Sequence, residues 1–131
     1  IVQRSGGVTE IQNIPRFRWS NNRQLWWRNA KAQDELVIEF TVDQPGDYDV
    51  TLGITRAVDY SIVRIDVNSK MMADSLDLYN PTVVTAEVKL GECKLRRGKN
   101  TLKVTILGAN PSAVKSHMFG LDYILASKRS E

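Results

Sequence analysis

The sequence predicts an all-β fold: a two-sheet antiparallel β-sandwich of jelly-roll type with about eight strands. Three observations carry this. Apolar residues alternate with polar ones at period two in at least five segments. Turn-forming residues separate those segments. No stretch shows an apolar stripe of helical period bounded by caps, so the strand–helix alternation of a parallel sheet is missing.

Taken in order, a short strand is expected near "VTEIQNI" (8–14) and another at "QLWWR" (24–28). "ELVIEFTV" (35–42) sets Leu36, Ile38, Phe40 and Val42 against Glu35, Val37, Glu39 and Thr41, the pattern of a half-buried strand. Pro45-Gly46 then turns the chain into "YDVTLGIT" (48–55), where Tyr48, Val50, Leu52 and Ile54 share one face. "YSIVRIDVN" (60–68) follows, closed by "NSK". "TAEVKLGECKL" (85–95) alternates Val88 and Leu90, with Cys93 and Leu95 as further members, around Gly91, where a bulge or corner fits. "RRGKN" (96–100) is a turn, "TLKVTIL" (101–107) alternates Leu102, Val104 and Ile106, and "MFGLDYILAS" (118–127) closes the fold. Two connections are too long for hairpins: residues 69–84 and 108–117. The first, rich in Met71, Met72, Leu76, Leu78 and Tyr79, is expected to be an ordered excursion between strands. Long ordered loops on a rigid sandwich are where binding usually resides.

Composition bounds the function. The chain has 131 residues, a normal single-domain length, and its opening "IVQRSGG" suggests a domain taken from a longer protein. A net charge of +3 from 18 basic and 15 acidic residues is small and scattered, so a nucleic-acid partner is not expected. The cluster Lys94, Arg96, Arg97 and Lys99 flanks a turn and reads as solvated charge. Cys93 is the sole cysteine, which excludes a disulfide framework; its alternation in "GECKL" makes it a small inward hydrophobe. No apolar run approaches the roughly 18–20 residues of a membrane helix. Catalysis is not expected: there is no phosphate loop, no metal-spaced Cys or His set and no Gly-x-Ser-x-Gly, and His117 is the sole histidine.

The tryptophan pair in "RQLWWRN" (23–29) raises a specific question, because neighbours on a strand face opposite ways and only one indole can enter the core. Alternation alone leaves open which; the position of Leu25 at the strand's edge favours Trp27 as the outward member.

The run from "QLWWRNAKAQDELVIEFTVDQPGDYDVTLGIT" through "DYSIVRIDVNSK" and "LDLYNP" to "GLDYILAS" resembles galactose-binding-like jelly rolls of the carbohydrate-binding-module type. The likeness covers about residues 19–126 and is strongest to accessory domains on the C-terminal side of secreted glycoside-hydrolase-like proteins. It implies a non-catalytic domain with a glycan or a neighbouring domain as partner, an extracellular or periplasmic location, and no cofactor. Position by position, it implies ligand contacts from Trp26 or Trp27, from Tyr79, and from Asn110 or His117, with Asp77 and Arg56 able to accept from or donate to hydroxyls. Aromatic rings stack on the C–H face of a pyranose while amides and charged groups satisfy its hydroxyls. Structural roles compete at each position. Trp19 is expected to plug the core, Tyr79 could equally pin its loop before Pro81, Asp59-Tyr60 is expected to cap and pack, and Asp122 to anchor its strand. Relatives can hold a structural Ca²⁺ through residues equivalent to Glu10 and Asp122, but two oxygen donors are too few to expect a metal. The alternative function is a structural module that packs on a catalytic neighbour or mediates oligomerisation.

Overall fold

The structure, a computed structural model, describes residues 2–4, 8–13, 23–28, 30–113 and 118–129. Among the described residues lie ten strands: β1 (Val2–Arg4), β2 (Val8–Asn13), β3 (Arg23–Arg28), β4 (Glu35–Val42), β5 (Gly46–Arg56), β6 (Ile62–Val67), β7 (Lys70–Asp77), β8 (Val84–Leu95), β9 (Gly98–Gly108) and β10 (Phe119–Lys128). They form two five-stranded sheets, ordered β1-β4-β9-β6-β7 and β2-β3-β10-β5-β8. Every pairing between strands is antiparallel. The two sheets make the expected jelly-roll sandwich. No helix among the described residues is long and apolar enough to cross a membrane.

The core lies where the inner faces meet, and strand parity selects its members. Leu36 and Ile38 of β4, Tyr48, Val50, Leu52 and Ile54 of β5, and Leu102, Val104 and Ile106 of β9 are all buried. Two strands of the second sheet change parity partway. In the β5–β8 ladder Val50 pairs with Gly91 and Thr51 with Lys89, so Leu90 is an extra residue. Ala86, Val88 and Leu90 face the core before this bulge, Cys93 and Leu95 after it. Gly91, at φ +94°, takes the backbone angle that a side chain would resist. In β10, Leu121 pairs with Ile54 and Tyr123 with Gly53, leaving Asp122 as the extra residue. Phe119 and Leu121 are buried before it, and Ile124 and Ala126 pack against the core after it.

The tryptophan pair is corrected by the structure. Trp27 is the inward member, with 0% of its surface exposed, as is Phe119, its register partner on β10. The reason lies in the register, which ties the parity of β3 to that of β10 through Phe119. Indole burial removes a large apolar area from water, so Trp27 is a major element of the core.

Residues 69–84 are also corrected. They hold not one long excursion but a strand, β7, and a shorter loop. Asn68 (φ 49°) and Ser69 (φ 69°) form a tight turn between the register partners Val67 and Lys70. Both central residues lie in the left-handed region, the geometry that matches strand twist in two-residue hairpins. Asn68 is held in it from the side: its Nδ2 donates to Oδ1 of the buried Asn100 (2.8 Å), and its Oδ1 accepts from the Thr101 N–H (2.9 Å). The turn cations Lys94, Arg96, Arg97 and Lys99 are all exposed, as their solvated reading requires.

Cys93 is the expected inward cysteine, 3% exposed. Burial pushes its thiol above the ordinary value of 9.0; Lys70 opposes the rise and Asp49 adds to it. The folded chain therefore holds its thiol neutral to higher pH than the unfolded chain does.

Two outcomes follow for the core. Trp27→Ala should cost roughly 3–5 kcal/mol, read from urea unfolding curves. Alkylation of Cys93 by iodoacetamide at pH 8 should be slow in buffer and fast in denaturing urea, and the native rate should climb with pH to a midpoint above that of the unfolded chain.

Candidate functional site

One end of the sandwich gathers the last residues of β5, β7 and β9 and the first of β6, β8 and β10. Ile62 at the start of β6 is the register partner of both Asp77 and Gly108, so the ends of β7 and β9 flank it. Among the connecting segments at this end are 57–61, 78–83 and the described part of 109–118.

Backbone hydrogen bonds tie these segments into one unit. The Ala57 N–H donates to the Leu78 carbonyl (3.1 Å), and the Asn80 N–H donates back to the Ala57 carbonyl (3.1 Å). Leu78, fully buried, donates its N–H to the Ser61 carbonyl (3.0 Å). Ser61 donates both its N–H (3.1 Å) and its hydroxyl (2.9 Å) to the Met118 carbonyl, and the Met118 N–H donates to the Asp59 carbonyl (3.1 Å). Tyr60, 4% exposed, packs beneath them in the role expected of it. Leu78 thus plugs the end of the sandwich while its neighbours stay at the surface.

Asp77 organises the polar side of this end. Its Oδ1 accepts from the Tyr79 N–H (2.9 Å), a local turn that fixes the direction in which the loop leaves β7. Its Oδ2 accepts from Asn110 Nδ2 (2.7 Å), 33 residues away. Asn110 Oδ1 in turn accepts from the Ser112 N–H (2.9 Å). Both carboxylate oxygens are therefore engaged inside the protein. Asp77 and Asn110 hold two loops together; they are not bare acceptors waiting for a ligand.

Of the remaining candidates, Tyr79 is partly buried and forms an isolated parallel bridge with Ala57. Arg56 is the residue before Ala57 and the last of β5, with the inward parity of Leu52 and Ile54. Its Nε is shielded from water and finds no hydrogen-bond partner among the described residues. A buried donor in that position costs free energy until something accepts from it. Trp27 lies in the core and offers no platform. Position 26, of opposite parity, pairs with Glu10 and Gly120 in the register, but the Trp26 side chain lies outside the described residues. So do His117, Trp19 and the side chain of Glu10. Among the described residues no group of three or more His, Cys, Asp or Glu could hold a metal ion.

Sequence reasoning therefore named Asp77, Tyr79, Asn110 and Arg56 at this end but missed its closure by Leu78, Ser61 and Met118. Apolar spacing gave a weak signal for Leu78. None existed for a hydroxyl that reaches a carbonyl 57 positions on.

No family model matches the chain, and no curated protein does. Solved structures do. A family 35 carbohydrate-binding module from Clostridium thermocellum shares 18% identity at TM-score 0.56, over 96% of this chain and 91% of the module. A Podospora anserina GH26-CBM35 β-(1,4)-mannanase gives 10% identity and TM-score 0.61, over 100% of this chain and 28% of that one. A Paenibacillus xanthan lyase gives 19% identity and TM-score 0.82, over 95% of this chain. The chain spans only 12% of the length of that lyase. This is the fold of the family 35 carbohydrate-binding modules.

Asp77→Ala should release both loops at once. Removing this doubly bonded carboxylate should cost roughly 1–3 kcal/mol. Hydrogen exchange read by mass spectrometry should accelerate in 78–83 and 109–113 and stay unchanged in β5 and β9.

Proposed function

We propose that this domain is a non-catalytic carbohydrate-binding module, an accessory part of a longer, secreted polysaccharide-processing protein. The observation that carries the proposal is the fold match to isolated family 35 modules, over 96–98% of this chain and 88–92% of theirs. The larger matched proteins support an accessory role, since the equivalent segment fills 12% of the xanthan lyase and 28% of the mannanase.

The tied loop end supports a ligand site there. In this reading the Tyr79 ring stacks on a sugar face and Arg56 donates to ring or hydroxyl oxygens. Asp77 and Asn110 keep both loops in place, while Trp26 and His117 complete the contact set. Stacking and hydroxyl hydrogen bonds dominate, because a scattered +3 steers weakly.

The alternative, a module that braces an adjoining catalytic domain, draws support from the TM-score of 0.82 with a lyase segment and from exposed Val83, Val84 and Leu125. Calorimetric titration against soluble mannan, β-1,3-galactan and xanthan separates the two. The carbohydrate reading expects measurable heat with at least one polymer and little change between about 50 and 500 mM NaCl, a range over which salt strongly screens exposed charges. Tyr79→Ala should weaken binding by about 0.5–1.5 kcal/mol, up to roughly tenfold. Silence against every polymer at millimolar sugar would favour bracing.

A further inference from the structure

The outer face of the second sheet holds an arrangement that the loop end does not explain. Without the extra residue at Asp122, the parity of Phe119 and Leu121 would carry Tyr123 into the core. The bulge turns it outward instead, and it stands in register with Gly53. Gly53 is in turn the register partner of Glu87 on β8. Tyr123, Gly53 and Glu87 thus form one row across β10, β5 and β8.

Glycine at the centre of that row is what lets the ring cross it. A Cβ on Gly53 would lie 2.3, 2.5 and 2.6 Å from Tyr123 Cε2, Cδ2 and Cζ. Three such similar distances describe an approach onto the face of the ring; an edge-on approach would leave the two flanking carbons clearly farther than the first. The ring therefore lies flat on the sheet over Gly53. Its hydroxyl reaches β8 and donates to Glu87 Oε2 at 2.9 Å. That hydrogen bond, ahead of desolvation and the charges of Glu87 and Asp122, also raises the phenol above its ordinary value and keeps it protonated. The ring is fixed at both ends, with one face on backbone and the residue partly exposed.

Beside it lies a shallow cavity of about 400 Å³, with Gly53, Thr85, Glu87, Asp122 and Tyr123 among its lining. That volume falls in the range of small-ligand sites, roughly 300–1,000 Å³. Among the described residues no Lys or Arg lines it.

We propose that this face binds a neutral glycan, with Tyr123 as a pre-set stacking platform and the Glu87 and Asp122 carboxylates and the Thr85 hydroxyl as partners for sugar hydroxyls. The proposal rests on the carbohydrate reading above but concerns a different surface, since Gly53 and Arg56 have opposite parity on β5. The apolar C–H face of a pyranose suits a fixed ring, and carboxylates accept from hydroxyls. Among the described lining residues the Glu87 carboxylate faces the site and no Lys or Arg does, which disfavours a uronate or sulfated chain and points to the uncharged class.

Affinity electrophoresis of the full chain through gels holding galactomannan, β-1,3-galactan or xanthan tests this, with Tyr123→Ala, Tyr123→Phe and Tyr79→Ala as variants. Retardation by a neutral polymer should fall about fivefold to tenfold in Tyr123→Ala, remain mostly intact in Tyr123→Phe, and fall additively when Tyr123→Ala and Tyr79→Ala are combined. NMR of ¹³C-tyrosine-labelled wild-type protein gives a readout independent of any variant's folding, and the Tyr123 ring signals should shift on addition of galactomannan or galactan. Wild type that is retarded while the Tyr123 signals and the Tyr123→Ala mobility stay unchanged would overturn this face alone. Stronger retardation by xanthan through the same ring would overturn the neutral class. Wild type that moves freely through all three gels would overturn the carbohydrate reading together with this one.

Discussion

Each strand must present one face to a shared core, and the insertion of a single residue reverses which side chains do so. Two insertions govern the second sheet. The bulge at Leu90 lets β8 pass Ala86, Val88 and Leu90 inward and then Cys93 and Leu95. The bulge at Asp122 lets β10 bury Phe119 and Leu121, then turn Tyr123 out while Ile124 and Ala126 return to the core. Both strands flank β5, which buries Tyr48, Val50, Leu52 and Ile54 without interruption. A regular central strand between two bulged neighbours is the frame on which the rest is arranged.

The loop end and the sheet face use this frame differently. At the loop end, order comes from backbone hydrogen bonds and from Asp77, whose two oxygens join β7 to the segment after β9. On the sheet face, order comes from what is missing, a side chain at Gly53, which leaves room for a ring to lie down. In both places the fold itself immobilises a surface group, and the entropy of ordering it has already been lost in folding.

Much of the sandwich was legible in the sequence because alternation is a local signal. β4, β5 and β9 follow their apolar period residue by residue, and Gly91 marked the first bulge. The second bulge had no such mark: "GLDYILAS" is nearly continuous in apolar residues, so its parity is hidden. Trp27 was assigned to the wrong face because alternation within one strand cannot say which face is inner; that depends on its partner Phe119, over ninety positions later. β7 was missed because its pairing with β6 shifts register at Val63/Ile65 and Ile65/Asp66, which breaks the period in "KMMADSLD". At the candidate site the residue types were readable, but the bond between Asp77 and Asn110 was not, since it joins positions 33 apart that only the β6 register brings together.

The irregularity that hid β7 has a consequence at the rim of the first sheet. An outermost strand carries a row of unpaired amides and carbonyls, which can template a strand from another molecule. β7 answers with two register shifts and with exposed Lys70, Asp74 and Ser75. β8, the rim of the second sheet, carries its bulge and the exposed charges Glu87, Lys89, Glu92 and Lys94. Neither rim is flat, apolar or uniformly spaced, so neither matches a straight incoming strand. Two copies of this domain that met along β7 or β8 would lie side by side without stitching those edges into one sheet.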